Sequence, residues 1–368
     1  MNDGEGRIEE ALRAVGDDYV RRNPPDLLRA RNRIDQLRRR RQMKATAGAA
    51  FATAAVVAVA VLAWPGAQTA REAPRPAAEI ELPAGWVSVS VGDEPTEVAV
   101  GDGALWVSNA GDGTVSRIDP VSNEVVTVPL SGAPGDLAVG EGGEVWAASP
   151  ELGAVQRIDP VTSSPTPDRR IDVAPADTPL DLAIDGFLWV SVIDRDLVQV
   201  DPATGDEVRR IDWVRPVNVA AREGAVFVLD AGGTVYGVDR LTGEPTGFEI
   251  SFDVEDRGDV HYDDGHVWVA EGDGSAVHAL DFAGASRRIR SYGFRGTYVE
   301  MVHTPAGVVV LSDLGDGSGV LTQIDAATGE TTELGEIEGG PRDLVQGSGA
   351  YWVSTSDADA VVRIPSLP

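Results

Sequence analysis

Seven times along the chain an apolar run appears, usually with a large side chain at its centre. Leu105-Trp106-Val107 is followed by Val145-Trp146-Ala147, Leu188-Trp189-Val190, Val226-Phe227-Val228, Val267-Trp268-Val269, Val308-Val309-Val310 and Tyr351-Trp352-Val353, at intervals of 38 to 43 residues. Self-similarity at that period marks a repeat architecture. Around each run lie other short apolar stretches broken by Gly, Pro and Asp, with no helical spacing, so each unit predicts a small antiparallel sheet. In the second unit the strands read as Asp136 to Val139, Glu144 to Ala148 and Val155 to Ile158, followed by the turn Asp159-Pro160. A fourth, outer strand follows such a turn, as in Glu124 to Leu130 and Glu207 to Trp213.

Seven such sheets set radially predict an all-β, seven-bladed β-propeller of four-stranded antiparallel blades. The last unit ends too soon for its own outer strand, because only four residues follow Val361 to Ile364. Trp86 to Val91 precedes the first unit as Val125 to Leu130 precedes the second. This N-terminal strand is therefore expected to close the ring.

The apolar pattern before the repeats is different. Ala45 to Trp64 carries no charge, and no charged residue lies between Lys44 and Arg71. Twenty residues of helix would span the hydrocarbon core, about 30 Å. Arg38 to Arg41 and Lys44 abut its N-terminal end, which predicts a cytoplasmic N-terminus and an extracytoplasmic propeller on a single-pass membrane protein. The division expected is a cytoplasmic basic helical tail (1–44), a transmembrane helix (45–64), an Ala/Pro-rich linker (65–83) and the propeller (84–368). In the tail, Ile8, Leu12, Val15 and Tyr19, and then Leu27, Ala30, Ile34 and Leu37, fall at helical spacing. Such stripes could dock a cytoplasmic partner or pair two copies; a plain juxtamembrane stalk has the same look.

Composition narrows the partners. The formal charge is −28, yet residues 1–44 hold twelve basic and eight acidic side chains, so the negative excess falls on the rest. A surface that acidic disfavours nucleic acid and favours cationic ligands. The absence of cysteine excludes disulfides and thiolate metal sites.

Aligning the units separates what every blade needs from what one blade has. The recurring tryptophans read as inter-blade packing, and the Gly-Asp-Gly tripeptides as hairpin turns rather than calcium loops. An acidic position opens each inner strand: Glu97, Asp136, Asp181, Asp259, Glu300 and Asp343, with Asn218 in the fourth unit. These side chains should ring one mouth of the channel, either to attract a cation or basic ligand, or to accept backbone N–H bonds between blades.

Units five and six break the symmetry. His261 stands where Ala99, Ala138, Ala183 and Ala220 stand in other units, and strand alternation puts it on the side of Asp259. Glu271 follows Trp268 by three residues, and His303 lies on the next inner strand. Arg257 and Tyr298 replace the Pro that the other five units hold. Asp259, Glu300, Tyr298, Arg257 and His303 are thus candidate ligand-binding residues. His261 and Glu271 are candidate catalytic residues, and Asp259, His261 and Glu271 could hold a divalent metal, magnesium or calcium, in the channel. Asp259 would raise the His261 pKa and burial would lower it. His266, in a turn, and His278, on a third strand, read as solvated.

Pro134-Gly135-Asp136-Leu137-Ala138-Val139 before a Val-Trp strand, and Thr114-Val115-Ser116-Arg117-Ile118-Asp119-Pro120 in the preceding unit, resemble bacterial YVTN- and NHL-like propellers. That broad group includes virginiamycin B lyase (streptogramin lyase), and the resemblance covers roughly residues 84 to 366. It implies a seven-bladed fold. For the lyases it implies a His with nearby Glu residues and a magnesium ion in the channel, opening a lactone by elimination. His261 with Trp268-Val269-Ala270-Glu271 is similar to that His and Trp-x-x-Glu pairing. No second Glu matches, and Asp259 would stand in for it. The reading expected is a binding domain, a sensor or scaffold for a small molecule or protein; the alternative is a metal-dependent lyase or lactone-opening enzyme.

Overall fold

The computed structural model describes residues 82–366 except 141, 174–178, 193–194, 223, 253–257, 264–265, 271–273, 282–287 and 306. They form seven four-stranded sheets, each antiparallel throughout. The inner strands are Pro95–Gly101, Leu137–Val139, Pro179–Asp185, Pro216–Arg222, Asp259–Asp263, Thr297–Thr304 and Pro341–Gly347, which open blades 1 to 7 in order. Outside the strands, the described residues hold two single-turn 3-10 helices, Pro150–Leu152 and Ser356–Ala358.

The second strand of each blade is apolar without alternation because both its faces are buried. Leu105 and Val107 pack into the seam between blades 7 and 1, while Trp106 between them points into the seam between blades 1 and 2. Seven apolar clusters are built this way, each shared by two neighbouring blades. Trp106, Trp146, Trp189 and Trp352 are fully buried in them. Each such side chain contributes upwards of about 3 kcal/mol of hydrophobic stabilisation. In blades 1, 2 and 3 the register sets a small residue opposite the indole: Ala99 opposes Trp106, Ala138 opposes Trp146 and Ala183 opposes Trp189.

The ring closes as the missing strand requires. Val87–Ser90 pairs with the last strand of the chain, Val87 opposite Arg363 and Ser90 opposite Ala360, as the outer strand of blade 7. Just before it, the Trp86 ring packs against Gly335 of blade 6, where a Cβ would approach the ring to 2.9 Å. The expected tail, transmembrane helix and most of the linker lie outside the described residues. Among the described residues no helix is long and apolar enough to cross a membrane.

Candidate functional site at the channel mouth

The inner strands wall a central cavity of about 690 Å³. Its lining includes all six acids of the predicted ring, with Asn218, His261 and His303. A local distortion accompanies five of the seven ring positions. In blades 1, 3, 4, 6 and 7 the pairing of inner and second strands slips by a residue at the ring position, which is Asn218 in blade 4. A bulge of this kind turns one side chain out of the ladder.

Four members of the ring follow one rule. Each accepts the backbone N–H one residue beyond the corresponding position of the next blade. Asp136 takes Leu182 N, Asp181 takes Val219 N at 2.6 Å, Asn218 takes Val260 N at 2.9 Å, and Asp343 takes Val98 N at 2.5 Å. These side chains clasp blade to blade. Toward the next blade's N–H the chemistry asked of them is acceptance, which is why Asn218 serves there as well as an aspartate.

Asp259 and Glu300 do something else. Both carboxylates turn to one imidazole: Asp259 Oδ2 lies 2.7 Å and Glu300 Oε1 2.9 Å from His261 Nε2. Tyr298 Oη donates to Asp259 Oδ2 at 2.7 Å, and Glu300 Oε1 also accepts the N–H of Met301 at 2.7 Å. The three side chains remain 14, 27 and 21 % exposed at Asp259, His261 and Glu300, so the cluster is open to the channel.

The electrostatics follow from this placing. Burial acts to lower the His261 pKa, but the charges of Asp259 and Glu300 outweigh it and hold it well above the ordinary value. Burial likewise acts to raise Asp259, and His261 and Tyr298 hold it below the ordinary range. Glu300 is pushed up to about 8 by burial and then by Asp259. Burial and the same two carboxylates keep the Tyr298 phenol protonated. At neutral pH the cluster is an imidazolium held between two acids.

His303 sits beside this cluster, its ring 6.0 Å from that of His261 and 6.1 Å from that of Trp268. Burial, with the His261 charge, drives its pKa down to about 3, so it is neutral. His266 begins the second strand of blade 5 and does not lie in the turn that the sequence predicts, because the strand starts one residue earlier. His278 Nδ1 meets Ser291 Oγ at 2.8 Å.

Of the predicted residues, Asp259, His261, Glu300, Tyr298 and His303 are thus brought together, while Arg257 and Glu271 lie outside the described residues. The metal-ligand set that the structure assembles is Asp259, His261 and Glu300, whose donor atoms lie within 4.8 Å of one another. The sequence points to Glu300 as a ligand-binding residue and not as a metal ligand. Glu97 and Asp343 line the same cavity, and burial and then the Asp343 charge push Glu97 well above the ordinary carboxylate range, which the sequence alone does not reveal.

Neither a protein-family model nor a curated protein matches the chain. Solved structures do. Virginiamycin B lyase from Staphylococcus aureus superposes with a TM-score of 0.61 at 13 % identity, over 78 % of this chain and all of the lyase. The chain has the fold of that lyase. A streptogramin B lyase gives 0.63 at 13 % identity over 76 % of this chain and 96 % of its own. The WD40 repeats of RRP9 give 0.63 at 14 % identity over 78 % of this chain and 99 % of theirs. At these identities the likeness concerns the fold, which lyases and WD40 domains share.

Proposed function

We propose that the propeller is a binding domain whose ligand presents a cationic group to the channel mouth over blades 5 and 6. The observation that carries this is the departure of Asp259 and Glu300 from the inter-blade clasp to a side chain facing the cavity. Carboxylates that brace blades have no need of His261. Around them the cavity is lined by further acids and has room for a small molecule or an inserted side chain. Titrating the purified full chain with magnesium, calcium and a linear polyamine, by calorimetry, tests it. Binding lost in Asp259→Ala and Glu300→Ala supports the reading. Binding indifferent to both, or no binding at all, overturns it.

A second reading, a metal-assisted lyase or lactone-opening enzyme, is favoured by one observation: three donor atoms of suitable type converge within 4.8 Å. A divalent ion held by Asp259, His261 and Glu300 would supply Lewis-acid polarisation of a carbonyl. The lyases whose fold it shares motivate the substrate class. His261 as held, protonated between two acids, is an acid and not a base, which makes this the second choice. Metal-dependent turnover of a cyclic ester, abolished by His261→Ala, would reverse the order.

The same proposal includes a membrane anchor: Ala45 to Trp64 spans the bilayer and residues 65–83 stand the propeller off its outer surface. The uncharged run and the arginines before it support this. Protease added to intact cells should remove the propeller; a protected C-terminal domain refutes the topology.

A further inference from the structure

The two ends of the propeller are chemically unlike. Each inner strand starts at the ring of acids and runs to the opposite end, and the strands alternate in direction from there outward. The turns that join third strands to outer strands therefore lie at the end away from the ring, the lower rim. The exposed large apolar side chains gather at this rim. Val121, Val161 and Leu241 hold one position in the turns of blades 1, 2 and 4 and are 89, 87 and 59 % exposed. Val126, Val208 and Ile289, also exposed, are each the second residue of an outer strand, just above such a turn. Val87 holds that place in blade 7, since it pairs with Arg363 as Val126 pairs with Arg117. Among the described residues no large apolar side chain is exposed at the other end. Single exposed valines need no partner, but a set confined to one rim marks a contact surface.

The tips are held out by their own turns. Asp119 Oδ1 accepts the N–H of Val121 at 2.8 Å and that of Ser122 at 2.9 Å. Asp159 does the same for Val161 and Thr162, and Asp239 for Leu241 and Thr242. The aspartate is thus engaged with the backbone, while the apolar side chain beside it stays in solvent. Arg209 Nη2 donates to the Leu241 carbonyl at 2.6 Å and fixes that tip to the neighbouring blade.

The chain enters the propeller at this same rim. The strand Val87–Ser90 begins there and runs up beside Ala360–Pro365. Whatever precedes residue 82 is therefore delivered to the lower rim, and in the sequence that is the uncharged run Ala45 to Trp64 and the linker 65–83. A short tether keeps the rim at high effective concentration beside a bilayer, so contacts too weak to recruit a free protein suffice. A formal charge of −28 gives no general attraction to anionic headgroups, which leaves apolar contact as the driving force.

We infer, on the membrane anchor proposed above, that the lower rim is a membrane-docking surface. Val121, Val161 and Leu241 dip into the zwitterionic interface of the bilayer that the chain itself spans, and the acid ring with His261 faces away from it. Residues 65–83 then tether a propeller that sits on the surface, in place of holding it clear.

The chain has no cysteine, so one introduced thiol carries the only label. The full chain is reconstituted in phosphatidylcholine vesicles as Val121→Cys, Val161→Cys or Glu151→Cys, each bearing an environment-sensitive fluorophore. Glu151 lies in the single-turn helix Pro150–Leu152, at the acid end of blade 2. A nitroxide on the lipid headgroup should quench the labels at 121 and 161 several-fold more than the label at 151. Adding Val161→Asp and Leu241→Asp should remove most of the quenching at 121, and substitutions at such exposed positions leave the fold intact. If alkali leaves the chain in the vesicles but the three labels are quenched alike, the anchor stands and the docking is refuted. If alkali strips the chain off, the anchor fails and the docking fails with it. Lower-rim labels that quench one another between copies, and not with the lipid nitroxide, would put a second copy of this chain on the rim and overturn the proposal.

Discussion

Tyr298 of blade 6 donates its hydroxyl to Asp259 Oδ2 of blade 5 at 2.7 Å, the same oxygen that faces His261 Nε2 at 2.7 Å. It stands where five other blades have Pro95, Pro134, Pro179, Pro216 and Pro341, none of which has a donor to give. The hydroxyl thus shares Asp259 with the imidazole and fixes the carboxylate between them. Tyr298→Phe keeps the ring, which packs with Tyr292 and Met301, and removes that bond. The expected cost is about 1–2 kcal/mol in chemical denaturation. The His261 titration, read by NMR, should move further upward, because Asp259 then has no competing donor. A His261 pKa that stays put or falls would show that the hydroxyl does not tune the imidazole.

The division of the ring into clasps and site residues gives a paired expectation. Asp136→Ala strands the N–H groups of Leu137 and Leu182 and should cost about 1–3 kcal/mol of stability while sparing affinity at blades 5 and 6. Asp259→Ala should do the reverse in emphasis, abolishing ligand or metal binding measured by calorimetry. Equal losses of affinity in the two variants would mean that the acids act as one structural ring.

Much of this was legible in the residues, and the reason is physical. A second strand buried on both faces must be apolar throughout, so Leu105-Trp106-Val107 and its counterparts announce the period and the number of blades. The short final unit announces the closing strand. The ring of acids was legible as a pattern, but not its partition. Whether a carboxylate reaches a backbone N–H or another side chain depends on what a strand some forty residues away presents to it. Asp136 and Asp259 therefore look alike in sequence and differ in role. The imidazole between two acids was half legible: Asp259 with His261 follows from strand alternation, whereas Glu300 arrives from the neighbouring blade.

His303 makes a pH prediction with a definite sign. Its folded pKa of about 3 lies below its ordinary 6.5, chiefly through burial. The stability it contributes is present above pH 6.5 and is lost as the pH falls toward 3. The loss between pH 7 and pH 4 should be roughly 1–3 kcal/mol relative to a non-titrating variant. The raised carboxyls of the channel act in the opposite direction, so the measurement is a difference between wild type and His303→Gln at each pH by urea unfolding. The variant should lose less stability on acidification. A constant difference across the range would show that His303 is as easily protonated folded as unfolded.

The closing strand makes the last prediction. Val89 is 6 % exposed and packs with Trp352 and Val361, whereas Val87, two residues earlier, is 38 % exposed. Val89 and Val87 share a face of the strand, so the difference is one of depth in the seam and not of orientation. Val89→Asp puts an unpaired charge between blades 7 and 1, and its cost should reach about 3 kcal/mol or more. Val87→Asp lies at the rim, and its effect should stay within about 0.5 kcal/mol. Because the strand pairs with residues at the far end of the chain, Val89→Asp should also loosen the register from Val87 opposite Arg363 to Ser90 opposite Ala360. Hydrogen exchange along Ala360–Pro365 reads that directly. If Val89→Asp left both stability and this exchange unchanged, the ring would be held shut by the other seams, and the N-terminal strand would be an attachment and not the closure.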